Sequence, residues 1–151
     1  FNIPKDYVKL NDGQGSASRN IISRKTSNLN KVVTNAYSKI GRPYVYGDKG
    51  TKGFDCSGFT CSVYESSMGV KLNRSSRDQV NNGIPIEKSE LKPGDLLFFN
   101  TSGKGISHVG LYIGDGQMIH ASTSNSQVEI TDINSKYYSS RYVAARRIIT
   151  K

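Results

Sequence analysis

Several things are scarce in this sequence, and each scarcity narrows what the chain can be. In 151 residues there are two cysteines, two histidines, four prolines and no tryptophan. The longest purely apolar stretch is Leu96–Phe99, far short of a membrane span. Nothing near Phe1 reads as a signal peptide and there is no initiator Met, so we read the chain as a processed product or an excised piece of a longer protein. Two cysteines are too few for a disulfide scaffold, and with two histidines they lack the paired spacing of a structural zinc site. Cys56 and Cys61 sit five apart on one predicted helix, about 140° apart around its axis, and such a pair does not readily close a disulfide. At least one of them is therefore a free thiol, kept for chemistry or for packing. Acidic residues are also few: 12 Asp and Glu stand against 21 Lys and Arg, for a net charge of +9.

What is present suits one polar domain plus a flanking segment. Hydrophobic residues make up 35% of the chain, and the mean hydropathy is −0.52. The basic excess fits a polyanionic neighbour: nucleic acid, anionic lipid, or an anionic wall polymer such as teichoic acid. It fits plain solubility equally well. The basic residues are scattered without interleaved stacking aromatics, which argues against nucleic acid.

Residues 1–28 are read as a linker or interdomain segment, because 11–28 are rich in Gly, Ser and Asn. The domain proper is read as 29–151. Leu29, Val32, Val33, Ala36, Tyr37 and Ile40 share one helical face, with Asn28 as a cap and Gly41 as the stop. A Gly-rich loop spans Arg42 to Phe54. A second helix is predicted from Asp55 to Gly69, with Asp55 as N-cap and Gly69 at the C-terminus. A short helix is predicted near Ser75–Val80. The rest reads as β: Leu96–Phe99, then Val109–Ile113 and Gln117–Ala121 around Gly114-Asp115-Gly116, then Val128–Ile130 and Tyr142–Ile149. Helices first and strands later predict an α+β fold, with helices packed on an antiparallel sheet of about five strands.

Cys56 carries the most chemistry. It follows an N-cap, so it occupies the first turn of a helix, where the dipole and free N–H groups favour a thiolate. Those N–H groups are also suited to an oxyanion, and Gly58 leaves room for a substrate backbone. The bland alternative is a buried, inert cysteine; for Cys61, amid Phe59, Val63 and Tyr64, core packing is the favoured reading. A thiol nucleophile needs an imidazole as base and a third group to orient it. His108 and His120 fill both jobs, unless they are merely surface histidines. Hairpin parity tests whether the pair can act together. A two-residue turn pairs Leu111 with His120 and puts His108 on the opposite face. A three-residue loop pairs Ile113 with Gln117 and Gly110 with His120, and both histidines then share a face, which should front the N-terminus of the Cys56 helix. Zinc held by Cys56, His108 and His120 is a rival use of the same atoms, but neither HExxH nor Cys-x-x-Cys supports it.

Four stretches in order, Phe54-Asp55-Cys56-Ser57-Gly58-Phe59, Pro93-Gly94-Asp95-Leu96, Ser107-His108-Val109-Gly110-Leu111-Tyr112-Ile113-Gly114 and His120-Ala121, resemble the NlpC/P60 family of papain-like cell-wall cysteine peptidases. The resemblance spans about Leu29 to Ile149. It implies Cys56 as nucleophile, His108 as base and His120 as the orienting residue, without metal or cofactor. It implies that Tyr44 serves the oxyanion region, that Asp55 and Ser57 line the pocket for the L-Ala end of the stem peptide, and that Arg74 and Ser76 belong to a substrate loop over Leu72–Gln79. Two departures concern the cleft rim: Tyr46-Gly47-Asp48 stands where Trp-Gly-Gly is frequent, and Asn73 where Pro is common. The implied reaction is hydrolysis of the γ-D-glutamyl–diamino acid bond of peptidoglycan stem peptides, by a secreted or wall-associated enzyme of bacterial, phage or mobile-element origin that carries further domains. Its rivals are a papain-like amidase or acyltransferase on another amide or ester, and a basic wall-binding module with a dead site.

This reading separates the two thiols. Cys56→Ser should abolish wall hydrolysis with the fold intact, because a hydroxyl is far less acidic than a thiol. Cys61→Ser should stay active with some loss of stability, and a chelator should not inhibit. Turbidity loss of purified cell walls, with and without EDTA, measures all three.

Overall fold

The computed structural model describes residues 19–148. Helix α1 spans Arg19–Ser38, α2 spans Cys56–Met68 and the one-turn α3 spans Ser76–Gln79. The strands are β1 (Ile84–Pro85), β2 (Leu96–Phe99), β3 (His108–Gly114), β4 (Gln117–Ser122), β5 (Gln127–Asp132) and β6 (Tyr142–Arg147), with a one-turn helix α4 (Lys136–Ser139) before the last. They form one antiparallel sheet in the order β1-β6-β2-β3-β4-β5. This is the α+β arrangement read from the sequence, with six strands rather than about five. The added strand is two residues long and contains a proline, so it has no sequence signal of its own.

Helix α1 buries Val32, Val33, Ala36 and Tyr37, the face that the periodicity predicts. Its start differs from the prediction. Asn28 lies inside the helix, which runs back to Arg19. No Gly or Pro occurs between Gly15 and Gly41, so nothing in the chain breaks the helix there. Residues 1–18, most of the stretch read as linker, lie outside the described residues. No described helix is long and apolar enough to cross a membrane.

Alternation along the strands creates two cores. Leu96, Phe98, Val109, Leu111, Ile119, Ala121 and Val128 point to the helices and pack with Phe59, Val63 and Tyr64 of α2. Leu97, Phe99, Met118, Ile133 and Ala145 point the other way, covered by Tyr112, Tyr138 and Tyr142. The turn before β2 is locked to both the helices and the last strand. Tyr64 donates to the Gly94 carbonyl. The buried Asp95 carboxylate accepts from Lys92 N at 2.9 Å and takes Arg147 in a fork, Nε and Nη2 each at 2.9 Å.

That fork connects the centre of the sheet to the end of the chain. Asp95→Ala should therefore lower stability by about 3 kcal/mol, the lower end of the range for removing one partner of a buried ion pair, because Arg147 retains some water. Urea unfolding followed by circular dichroism reads the loss.

Candidate active site

Asp55 caps α2. Its Oδ1 accepts from Gly58 N at 2.6 Å, and its Oδ2 accepts from Gly47 N at 3.1 Å. Arg74 grips the same carboxylate, Nη2 to Oδ2 at 2.9 Å and Nη1 to Oδ1 at 3.1 Å, and its Nη1 also donates to Ser57 Oγ at 2.9 Å. The predicted residues Asp55, Ser57 and Arg74 are thus one bonded cluster beside Cys56. Ser76 is buried at the first position of α3 and has no bond to that cluster among the described residues. The other end of α2 closes as predicted, on Gly69 in the left-handed region at φ 66°.

Gly58 has a different role from the one predicted. A Cβ there would lie 2.2 Å from the Asp48 carbonyl oxygen and 2.7 Å from Asp55 Oδ1. The space is filled by the loop before the helix, not kept for a substrate. Asp48 organises that loop by accepting from the backbone N–H groups of Gly50, Thr51, Lys52 and Gly53. These four bonds hold its carboxyl well below the usual range.

Gln79 was not singled out in the sequence, yet it anchors the Arg74 loop. It is fully buried. Its Oε1 accepts from Thr60 Oγ1 at 2.7 Å, and its Nε2 donates to the Ser57 and Asn73 carbonyls at 3.1 and 2.9 Å and to Cys61 Sγ at 3.3 Å. Cys61 in turn donates to the Asn73 carbonyl at 3.3 Å, so it is a core residue that also braces the loop. The signal available in the sequence was Ser75, a good cap that places Gln79 at the inner end of a one-turn helix.

The histidines share a face, by a route that combines both turn readings. Asp115 at φ 53° and Gly116 at φ 72° form the two-residue turn that needs positive φ at both positions. Gly114 pairs with Gln117, but Tyr112 pairs with Met118. Ile113 is the extra residue of a β-bulge, and beyond it the frame sets Gly110 opposite His120. A Cβ on Gly110 would sit 2.5 Å from Met118 Sδ, so a side chain there would displace the methionine. His108 Nε2 and His120 Nδ1 lie 2.8 Å apart, and Tyr138 packs on both rings, with centroids 6.1 and 5.4 Å away.

The shared face is not the one that packs on the helices. His108 pairs with Phe99 and His120 lies two residues beyond Met118, so both imidazoles project to the side of the second core. Cys56 meets them at the start of β3. Its thiol donates to the carbonyl of Ser107 at 3.9 Å, and the Val109 N–H faces the sulfur from the other side of His108. Among the described residues no imidazole nitrogen bonds directly to the sulfur, whose contacts are with the backbone on either side of His108.

Burial governs the ionisation of all three groups. It pushes the Cys56 thiol up, against the N–H groups of Val109 and Ser57, and the Asp55 charge adds to the rise. The N–H groups at the helix start do pull this thiol down, as expected, but desolvation outweighs them and the net direction is upward. His108 is pushed down to about 3 by burial and then by His120, and burial alone takes His120 to about 4. The resting couple is a neutral thiol beside neutral imidazoles. Tyr44 is half-buried, its hydroxyl pushed up first by burial and then by the proximity of Cys56 and Asp55. For the zinc alternative, His108 Nε2 and His120 Nδ1 are turned on each other, and the described residues contain no group of three or more His, Cys, Asp or Glu arranged to hold a metal.

Residues 41–147 match the model of the NlpC/P60 family. A γ-D-glutamyl-L-lysine dipeptidyl-peptidase of Bacillus cereus is 38% identical over 96% of this chain and 43% of its own length. A murein DD-endopeptidase of Escherichia coli is 34% identical over 95% of this chain and 55% of its own. The solved NlpC/P60 domain of the peptidoglycan hydrolase SagA superposes with a TM-score of 0.70 at 36% identity, covering 80% of this chain and 98% of that one. The chain spans about half the length of the curated relatives it matches.

Two buried neutral histidines make stability depend on pH. Both are depressed from 6.5 in the folded state, so the unfolded chain binds more protons below that value. The stabilisation is complete above about pH 7 and is lost as the pH falls towards the folded values. Between pH 6.5 and 5, above the range where ordinary carboxylates titrate, stability should fall by about 3 kcal/mol. His120→Asn should roughly halve the slope. Urea titrations at several pH values measure it.

Proposed function

The chain belongs to the NlpC/P60 family, and from that premise we propose that it is a cysteine endopeptidase of peptidoglycan, cutting the γ-D-glutamyl–diamino acid bond of stem peptides. The observation that carries this reading is the meeting of the Cys56 sulfur, at the head of α2, with the first residues of β3, whose His108 is bonded to His120 at 2.8 Å. The domain responsible is 29–151, preceded by an interdomain segment in 1–28 whose last ten residues are the helical start of α1. The protein acts outside the cytoplasm, secreted or held at the wall, where its net charge of +9 favours anionic wall polymers.

The mechanism follows from the resting protonation. The Cys56 thiol proton moves to His108 as the sulfur attacks the γ-glutamyl carbonyl carbon, so the thiolate is made during attack rather than stored beforehand. Backbone N–H groups at the start of α2, with the Tyr44 hydroxyl, receive the developing oxyanion. The C–N bond breaks and His108 gives its proton to the leaving amine. Water then attacks the thioester, His108 takes its proton, and the thiol is restored. His120 fixes the ring of His108 and does not itself carry the proton. Asp55, Ser57 and Arg74 form the polar wall beside the nucleophile that receives the L-Ala end of the stem, with Ser76 in the loop behind.

Mass spectrometry of digested peptidoglycan tests the bond. The expected product is L-Ala–γ-D-Glu with a new free amine on the diamino acid. Uncrosslinked but otherwise intact stems would instead indicate cleavage of the cross-link. Cys56→Ser should yield neither. His120→Asn or His120→Gln should retain more activity than His120→Ala, because an amide still holds the ring, whereas His108 should tolerate no substitute.

A further inference from the structure

The chain of hydrogen bonds continues beyond His120. Its Nε2 lies 2.7 Å from the Thr131 hydroxyl, and that hydroxyl donates to Glu129 Oε2 at 3.4 Å. Asn125 Nδ2 donates to both Glu129 oxygens at 2.9 Å. Strand register puts these groups together: His120 pairs with Glu129 and Met118 with Thr131, so residues 129 and 131 alternate onto the face of the two histidines.

The donor capacities along this line fix its direction. An ionised carboxylate only accepts. A threonine hydroxyl has one proton; once that is given to Glu129, its oxygen accepts from His120 Nε2–H. A neutral imidazole carries one N–H, so His120 Nδ1 then accepts, and His108 Nε2 is the donor across the 2.8 Å contact. The lone pair of His108 is left on Nδ1. We propose that Glu129 and Thr131 are positioning residues that hold His108 in its Nε2–H tautomer, the form whose Nδ1 is free to take a proton from Cys56. The proposal rests on the reading of His108 as the base.

The reverse direction is disfavoured on two counts. It would place the lone pair of His120 Nε2 only 3.9 Å from Glu129 Oε2, two electron-rich atoms on the same side of the hydroxyl. It would also force the proton of His108 onto Nδ1, leaving a base with nothing to receive the thiol proton. In the forward direction the carboxylate at the far end stabilises the imidazolium that His108 becomes, through groups that are already aligned.

Long-range proton–nitrogen NMR of the imidazoles in the full chain at pH 7 reads the tautomers without substrate. Both rings should be Nε2–H. Thr131→Val, which keeps the shape and removes the hydroxyl, should give mixed tautomers at His120. It should also lower kcat by at least about ten-fold with KM little changed, the scale on which partners one step behind a functional imidazole act. Thr131→Ser should restore both readouts, and Glu129→Gln should shift them in the direction of Thr131→Val. An Nδ1–H tautomer at either ring in the wild type overturns the proposal, as does a Thr131→Val protein with unchanged tautomers, whatever its kcat. Because the spectra need no turnover, an active Cys56→Ser protein would sink the catalytic reading while leaving the proton positions measured in their own right.

Discussion

One carboxylate, that of Asp55, ties together everything that brings Cys56 to its place. It caps the helix that starts with the cysteine, holds the backbone of the preceding loop at Gly47, and receives the fork of Arg74 from a loop nineteen residues further on. An N-cap alone is worth about 1 kcal/mol. Its larger effect here is geometric, since the helix start, the loop at Gly47 and the loop of Arg74 meet at one charge. The fully buried Gln79 repeats the strategy one layer down, joining α2 to the same loop through neutral hydrogen bonds. Between them, Asp55 and Gln79 tie the loop of Arg74 to α2 at two levels.

The electrostatics of the site invert a simple expectation. A cysteine at a helix start is commonly taken as an activated thiolate, yet here burial dominates and the thiol, His108 and His120 are all held neutral. A neutral couple has no standing charge to desolvate when a peptide covers it. It also leaves the orientation of the imidazole, rather than a preformed ion pair, as the quantity the protein must control. That orientation comes from the second core: Phe99 and Tyr138 confine the rings, while the bonds along β4 and β5 direct their nitrogens.

What could be read from the sequence was what local chemistry announces. Asp55 and Gly69 mark the ends of α2 because a carboxylate cap and a left-handed glycine act within one turn of their own position. The shared face of His108 and His120 was legible as parity, but not the device that produces it, since a bulge at Ile113 depends on how the whole hairpin seats on the helices. Thr131 and Glu129 gave no signal, because each is defined by partners brought in from other strands, and Gln79 had only the indirect one of the Ser75 cap. The start of α1 was misread because Ser and Asn suggest a linker by composition, whereas the absence of any glycine or proline after Gly15 permits a helix. Ser135, which caps α4 through Tyr138 N, was a cap signal that went unused, and with it the tyrosine that roofs the imidazoles.

The bulge at Ile113 behaves like a phase corrector in a reading frame. A tight turn by itself would set the two histidines on opposite sides of the sheet; one additional residue restores the phase before His120 is reached. Gains or losses of single residues within the paired parts of β3 and β4 would therefore be read as frameshifts, while changes of two would preserve the phase and alter only the reach of the hairpin. Variation in this segment among descendants of the same ancestor should accordingly come in even steps, or in compensated odd ones.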